Sequence, residues 1–294
     1  MLTDKHNLIV PAARYHDLVY FCVRNKEGDE EGDAHSLFNG YYQGELGHAG
    51  NCASWDTVAM AVARKPEEML IATSVEGQVF SFVGGVEAAE QIPITRGDIR
   101  NLTTVEGFVY ACGVKRQVFR RDSANTWVDI SAAAPSSGEE RMIGFEAIHG
   151  FSKNELYAAG WSGEIYKYDG EQWLDVISPC NTILTAVSCG EDGVVYIVGK
   201  DGILIKGRDM AWEVVDTEGI VDDFWDVHWF KGKAYISSLS RLYEYDGTTF
   251  QIVDTGEEQP DSCFKLSSAE GVMWSLGIKD LFKFDGETWE KIIL

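Results

Sequence analysis

The sequence predicts an all-β chain: one seven-bladed β-propeller of four-stranded antiparallel blades, a single domain over residues 1–294. Three observations carry this expectation. Short apolar runs recur at near-constant spacing, an alternating run follows each after about nine residues, and an Asp-Gly turn with an aromatic residue three places on closes the unit. A chain of this length as one domain is ordinary for all-β folds.

The first series is centred on Ile71, Tyr110, Tyr157, Tyr196, Tyr235 and Trp274, at intervals of 39, 47, 39, 39 and 39 residues. The long interval exceeds the others by 8, and residues 132–141, rich in Ala, Ser and Glu, read as the inserted loop. The second series is Phe80, Phe119, Tyr166, Ile205, Tyr243 and Phe282, set in alternating runs that mark half-buried strands. Asp169-Gly170, Asp246-Gly247 and Asp285-Gly286 lead to Trp173, Phe250 and Trp289, and weaker copies end at Trp127 and Trp212. These dipeptides read as hairpin turns in which both residues tolerate positive φ. A further strand precedes each core run, around Leu102, Ile148, Val187, Val227 and Leu266. Four strands in about 40 residues make one blade, and a ring of blades buries faces that a lone sheet leaves wet.

Six units are clear over 56–294, and residues 1–55 hold a degenerate first blade with runs at 8–10, 18–23 and 36–42. An acidic insert, 26–33, separates the last two of these. Six blades plus an N-terminal cap is the competing count. The last blade is expected to come wholly from the C-terminal segment, with the ring closing by packing alone.

These repeats resemble the broad β-propeller superfamily, which includes WD40, kelch and Asp-box propellers. The Gly-His and Trp-Asp of WD40 do not recur, Gly84-Gly85 is a lone pair where kelch needs repeats, and Asp and Gly are adjacent where the Asp box separates them. The unit from Gly160 to Trp173 is similar to repeats of uncharacterised bacterial propellers, which implies a bacterial origin.

A formal net charge of -22 disfavours nucleic acid and anionic lipid, since both require cationic side chains. It favours cations and basic proteins, whose approach it would speed. The six cysteines are dispersed, without metal-ligand spacing, and are expected to be reduced. The N-terminal residues carry no apolar signal segment and no run of 18 apolar residues occurs, so a cytoplasmic chain that crosses no membrane is expected.

No nucleophile elbow, phosphate loop, metalloprotease motif or dinucleotide fingerprint is present. Neither a cofactor nor a metal is expected. The carboxylates of Asp169, Asp246 and Asp285 lie in different blades and cannot converge on calcium. His149 and His228 follow the apolar residue of inner strands, where they either share a metal in the channel or bond between blades.

Candidate contact residues are sought where the repeat is broken. The inner-strand entrance and the loop between second and third strands share one face. Of 25 basic residues, Lys115, Arg116, Lys200, Arg241 and Lys279 fall on those loops, with Trp161 among them. The links 216–223 and 254–261 are acidic, and Asp222 and Asp223 close the first. Phe224, Trp225 and Trp229 would form an aromatic group at the channel mouth, serving as interface anchors or as filling for the funnel between blades.

These features predict a non-catalytic binding propeller holding a protein partner. An inhibitor or immunity protein that covers a basic toxin or effector fits an acidic chain without an active site. The alternatives are a channel-mouth glycan hydrolase or lyase using Asp56 and Glu146, and a small-molecule binder.

Overall fold

A computed structural model describes residues 1–26, 35–52, 55–134 and 143–294, with the side chains of residues 51 and 52 left aside. The insert at 26–33, beyond Lys26, and the loop 132–141, beyond residue 134, lie outside the described residues. Seven four-stranded antiparallel sheets stand in sequence order: 6–52, 59–91, 99–129, 145–176, 184–215, 226–252 and 265–292. We number them blades 1 to 7. The chain is therefore a seven-bladed propeller, and the first sheet takes the place of a cap. Among the described residues no helix is long and apolar enough to cross a membrane.

Within each blade the strands run from the axis outward. The inner strands are His6–Tyr15, Ala59–Ala63, Ile99–Val105, Phe145–Ser152, Leu184–Cys189, Asp226–Phe230 and Lys265–Ala269. The repeat centres fall on second strands that are buried on both sides: Ile71, Tyr110 and Tyr157 are all at 0% exposure. Each lies between two neighbouring sheets, which is why these runs read as continuously apolar. The aromatics after the turns pack as expected. Trp173 meets Phe145, Phe250 stacks on Tyr243, and Trp289 reaches Tyr235 of the preceding blade.

The Asp-Gly turns differ from expectation in one respect. Only the glycines take positive φ: Gly170 at 100°, Gly247 at 98° and Gly286 at 101°. The aspartates act through their side chains instead. Asp246 Oδ1 accepts the N–H groups of Thr248 and Thr249 at 2.9 and 2.7 Å, and Asp169 and Asp285 do the same with the two equivalent N–H groups. Each carboxylate thus replaces a backbone acceptor in the turn. The donated N–H bonds hold the carboxyls below their usual range, Asp246 at about 2.

Inner strands present a free backbone edge to the axis, and side chains from the neighbouring blade close it. His149, Ser188, His228 and Ser267 occupy one repeat position, opposite Tyr157, Tyr196, Tyr235 and Trp274. His149 Nδ1 accepts Cys189 N–H at 3.0 Å, Ser188 Oγ accepts Trp229 N–H at 2.9 Å, and Ser267 Oγ accepts Ala13 N–H at 2.9 Å. His228 Nε2 meets Ser268 Oγ at 2.7 Å. The two histidines are thus stitches between blades. Burial lowers the pKa of both to about 4, with the charge of His228 adding to the effect on His149.

The other junctions use ion pairs. Arg121 of blade 3 meets Glu90 of blade 2 through two bonds at 3.0 and 2.6 Å, with both side chains 2% exposed. Between blades 1 and 2, Glu68 gathers Arg14, Arg64 and Tyr15. Blade 7 comes wholly from the C-terminal segment, but the ring does not close by packing alone. Beside the apolar contact of Leu8, Val19 and Phe21 with Trp274 and Leu281, Leu2 N–H donates to the carbonyl of Leu294 at 3.1 Å and Leu8 N–H to that of Ile278 at 2.8 Å. Among the described residues the cysteines Cys22, Cys112, Cys180, Cys189 and Cys263 are free thiols.

Two outcomes test this account. Glu90→Ala should lower unfolding stability by about 3–5 kcal/mol in denaturant titrations, because it strands a buried guanidinium; a loss under 1 kcal/mol would contradict it. The turn aspartates have depressed folded pKa values, so their stabilisation is complete above the usual value of 3.8 and disappears as pH falls through the folded values, near 2 for Asp246. Thermal melts should therefore place wild type above the triple variant Asp169→Asn, Asp246→Asn and Asp285→Asn at neutral pH, with the gap closing between about pH 4 and pH 2. A pH-independent gap would refute the assignment.

Candidate functional site

The antiparallel order puts two sets of loops at one end of the ring: the links from each outer strand to the next inner strand, and the turns between second and third strands. The inner-strand entrances lie at this end, which we call the entrance face. Its turns press closely on the links. Gly163 has φ 76°, and a Cβ there would stand 2.3 Å from the Cys180 carbonyl oxygen. At Gly202, φ 69°, a Cβ would stand 2.0 Å from that of Ile220. Only glycine fits these two positions.

The sequence-predicted residues are on this face, yet several are already engaged. Trp161 is half-buried and donates Nε1–H to Glu146 Oε1 at 2.5 Å; Arg100 Nε donates to the same oxygen at 3.0 Å. Arg116 pairs with Glu164, which also accepts Gly144 N–H, and lies 5.0 Å from the Tyr166 ring centre. Lys200 Nζ stands 3.6 Å from Asp223 and 5.9 Å from the Trp225 ring. Asp223 further accepts Asp201 N–H, and Asp222 accepts the Tyr243 hydroxyl at 2.7 Å. Lys115, Arg241 and Lys279 are exposed.

The aromatic group expected at the mouth does not form. Phe224 is fully buried, packed on Tyr243 and Phe250, so it cannot touch a partner and instead fixes the strand that carries Trp225. Trp229 stacks on Tyr196 at 5.3 Å, because strand alternation and the depth of the inner strand carry it away from the rim. Of the three, Trp225 alone is half-buried at this end of the strand, 6.1 Å from Phe264. Sequence reasoning missed Ile177 and Val221, apolar residues on links that stand 87% and 78% exposed. A single apolar residue in a polar link carries no periodic signal.

An axial cavity of about 480 Å³ opens among the seven inner strands, with Arg100, Glu146, Asp226 and Lys265 among its lining. Burial raises the Asp226 carboxyl, against the opposing pull of Lys265 and two N–H bonds. The carboxylates that a glycan hydrolase would need are both engaged: Glu146 by Arg100 and Trp161, and Asp56 by Arg24 at 3.1 Å. Among the described residues no cluster of three His, Cys, Asp or Glu side chains is placed to hold a metal ion.

No protein-family model matches the chain. Among solved structures, a catalytically inactive virginiamycin B lyase from Staphylococcus aureus with quinupristin superposes with a TM-score of 0.71 at 9% identity, covering 96% of each chain. YCF48 with a bound D1 peptide gives 0.69 at 10% identity, covering 99% of this chain and 92% of that one. At such identities these likenesses concern the fold alone. The immune protein Tsi7 of Pseudomonas aeruginosa is different in kind: it is 40% identical over 294 aligned positions, covering 97% of this chain and 96% of its own. On that extent of identity, running through every blade, the chain belongs to the family of the immune protein Tsi7.

Proposed function

We propose that this chain is an immunity protein, a cytoplasmic, non-catalytic propeller that binds a bacterial toxin or effector and neutralises it by covering it. The observation that carries the reading is full-length kinship with an immune protein at 40% identity. Two further features support it. The formal charge of -22 suits a basic partner, with electrostatic steering to speed the encounter. The carboxylates best placed for catalysis are held in ion pairs, as in a surface built to keep its shape.

The partner is received on the entrance face. Trp161, Trp225, Lys115, Arg116, Lys200, Arg241, Lys279, Asp222 and Asp223 are the contact residues, with Phe224 beneath them as support. Binding through a preformed surface of paired charges costs little ordering of side chains.

Co-expression gives the test. A basic protein captured from the source cell by the purified chain should kill cells when expressed alone and spare them when the chain is present, and the two should co-purify in stoichiometric amounts. Trp161→Ala, Arg116→Ala and Arg241→Ala together should weaken the complex by about a hundredfold. Lys153→Glu, on the opposite face, should leave it intact. Arg241→Ala alone should keep the wild-type melting temperature, whereas Trp161→Ala and Arg116→Ala should lower it by freeing Glu146 and Glu164. Undiminished affinity in the triple variant would exclude this face.

A further inference from the structure

We propose that the toxin anchors a cationic patch, bearing apolar side chains, on one sector of the entrance face, the links and turns of blades 5, 6 and 7, with Arg116 and Trp161 at the margin of the contact. The inference rests on the immunity reading above and names both the sector and the chemistry that fits it.

Charge separates this sector from blades 2 and 3. The segments 200–202, 216–225, 238–241, 254–264 and 277–280 carry ten carboxylates against three cations. The corresponding segments of blades 2 and 3, at 75–77, 92–98 and 114–116, carry two carboxylates against three cations. Blades 5 to 7 are thus acidic where blades 2 and 3 are not. Of the sector's three cations, Lys200 is paired from within by Asp223, and Arg241 lies beside Tyr243 and Asp222. An approaching protein meets carboxylates such as Glu218, Glu257 and Asp261, which are exposed.

Apolar residues stand among those carboxylates. Val221 is 78% exposed and Leu239 53%, with Ile177 at 87% on the preceding link. Single exposed apolar residues are common on any surface, but three on adjoining loops at one end of one sector are not scattered. Trp225 and Phe264 lie beside them.

The sector is also held rigid. Lys200 N–H donates to the Ile183 carbonyl, Gly202 N–H to that of Asp222, Phe224 N–H to that of Gly199 and Cys263 N–H to that of Leu239. The Tyr243 hydroxyl donates to Asp222, and Ser262 bonds Asp280. Each link is thus bonded to the turn beside it, from residue 183 round to residue 280. Fixed loops bearing apolar tips inside a field of one sign suit a partner of the opposite sign with a preformed surface. An acidic partner would be repelled by the same field.

The experiment uses the full chain and the toxin that co-purifies with it, released from the complex in denaturant and refolded. Val221→Asp with Leu239→Asp should weaken the complex by about a hundredfold while the melting temperature stays at the wild-type value, since both side chains are solvated. Replacing Asp254, Glu257, Glu258 and Asp261 by their amides should slow association about tenfold at low salt, and the wild-type rate should fall steeply between low and high salt. If both variants bind as wild type does, the sector is wrong while the immunity reading stands. If instead only the double variant Trp161→Ala with Arg116→Ala weakens binding, docking is centred on blades 3 and 4. If the wild-type chain neither protects cells nor binds the toxin, both the reading and the sector fall.

Discussion

The unpaired edge of the inner strand is the constraint on which the molecule depends. Seven sheets around an axis leave seven rows of backbone N–H and C=O groups facing a narrow cavity, where an unmet donor is costly. At three of the junctions the chain answers with a side chain from the adjoining blade, placed at a single repeat position opposite the core anchor. His149, Ser188 and Ser267 each accept a backbone N–H one residue beyond the equivalent position of the following blade. The bonds that satisfy the edges also fix the angle between neighbouring sheets. Interlocked aromatic and aliphatic cores between the sheets could supply adhesion without them, but not the register.

That fixed ring is what allows the entrance face to be a surface of defined shape although it is made of loops. Its turns sit where a Cβ on Gly163 or Gly202 would collide with the next link. Several of its cations are already paired, as Arg100 with Glu146 and Arg116 with Glu164 illustrate. On the binding reading proposed above, such a face would change little on meeting its partner, and affinity would come from shape, apolar contact and the net field. Kinship with the immune protein Tsi7 fits such a surface better than it fits a site for turnover.

The fold was legible in the sequence because packing between sheets leaves a strong periodic imprint. Tyr157, Tyr196, Tyr235 and Trp274 occupy one kind of environment and are spaced accordingly. The first blade was legible only in outline: its outer strand, Glu45–Cys52, has no aromatic anchor to mark it. Contact residues were harder to read. Position along the chain located the candidates Arg116 and Trp161 on the entrance face, but their partners Glu164 and Glu146 were found only in space. Phe224 and Trp225 are chain neighbours with opposite fates, one in the core and one near the rim, and nothing in composition separates them. The acidic links were visible in sequence, whereas their gathering on neighbouring blades needed the ring to bring them side by side.

The stitch position has a consequence for how the ring is assembled. Repeats spaced by 39 residues invite a slip of one whole unit, since a blade shifted by one place would still offer aromatic cores of the right kind. The stitches break that equivalence. An imidazole ring facing a backbone amide, a hydroxyl facing a backbone amide and an imidazole facing a hydroxyl differ in reach and in what they accept. A slip would therefore set unlike stitches against one another wherever imidazole and hydroxyl alternate, although the serine stitches Ser188 and Ser267 are alike, so the polar side chains near the axis mark some junctions of a repetitive chain and leave the others to the fit of the cores.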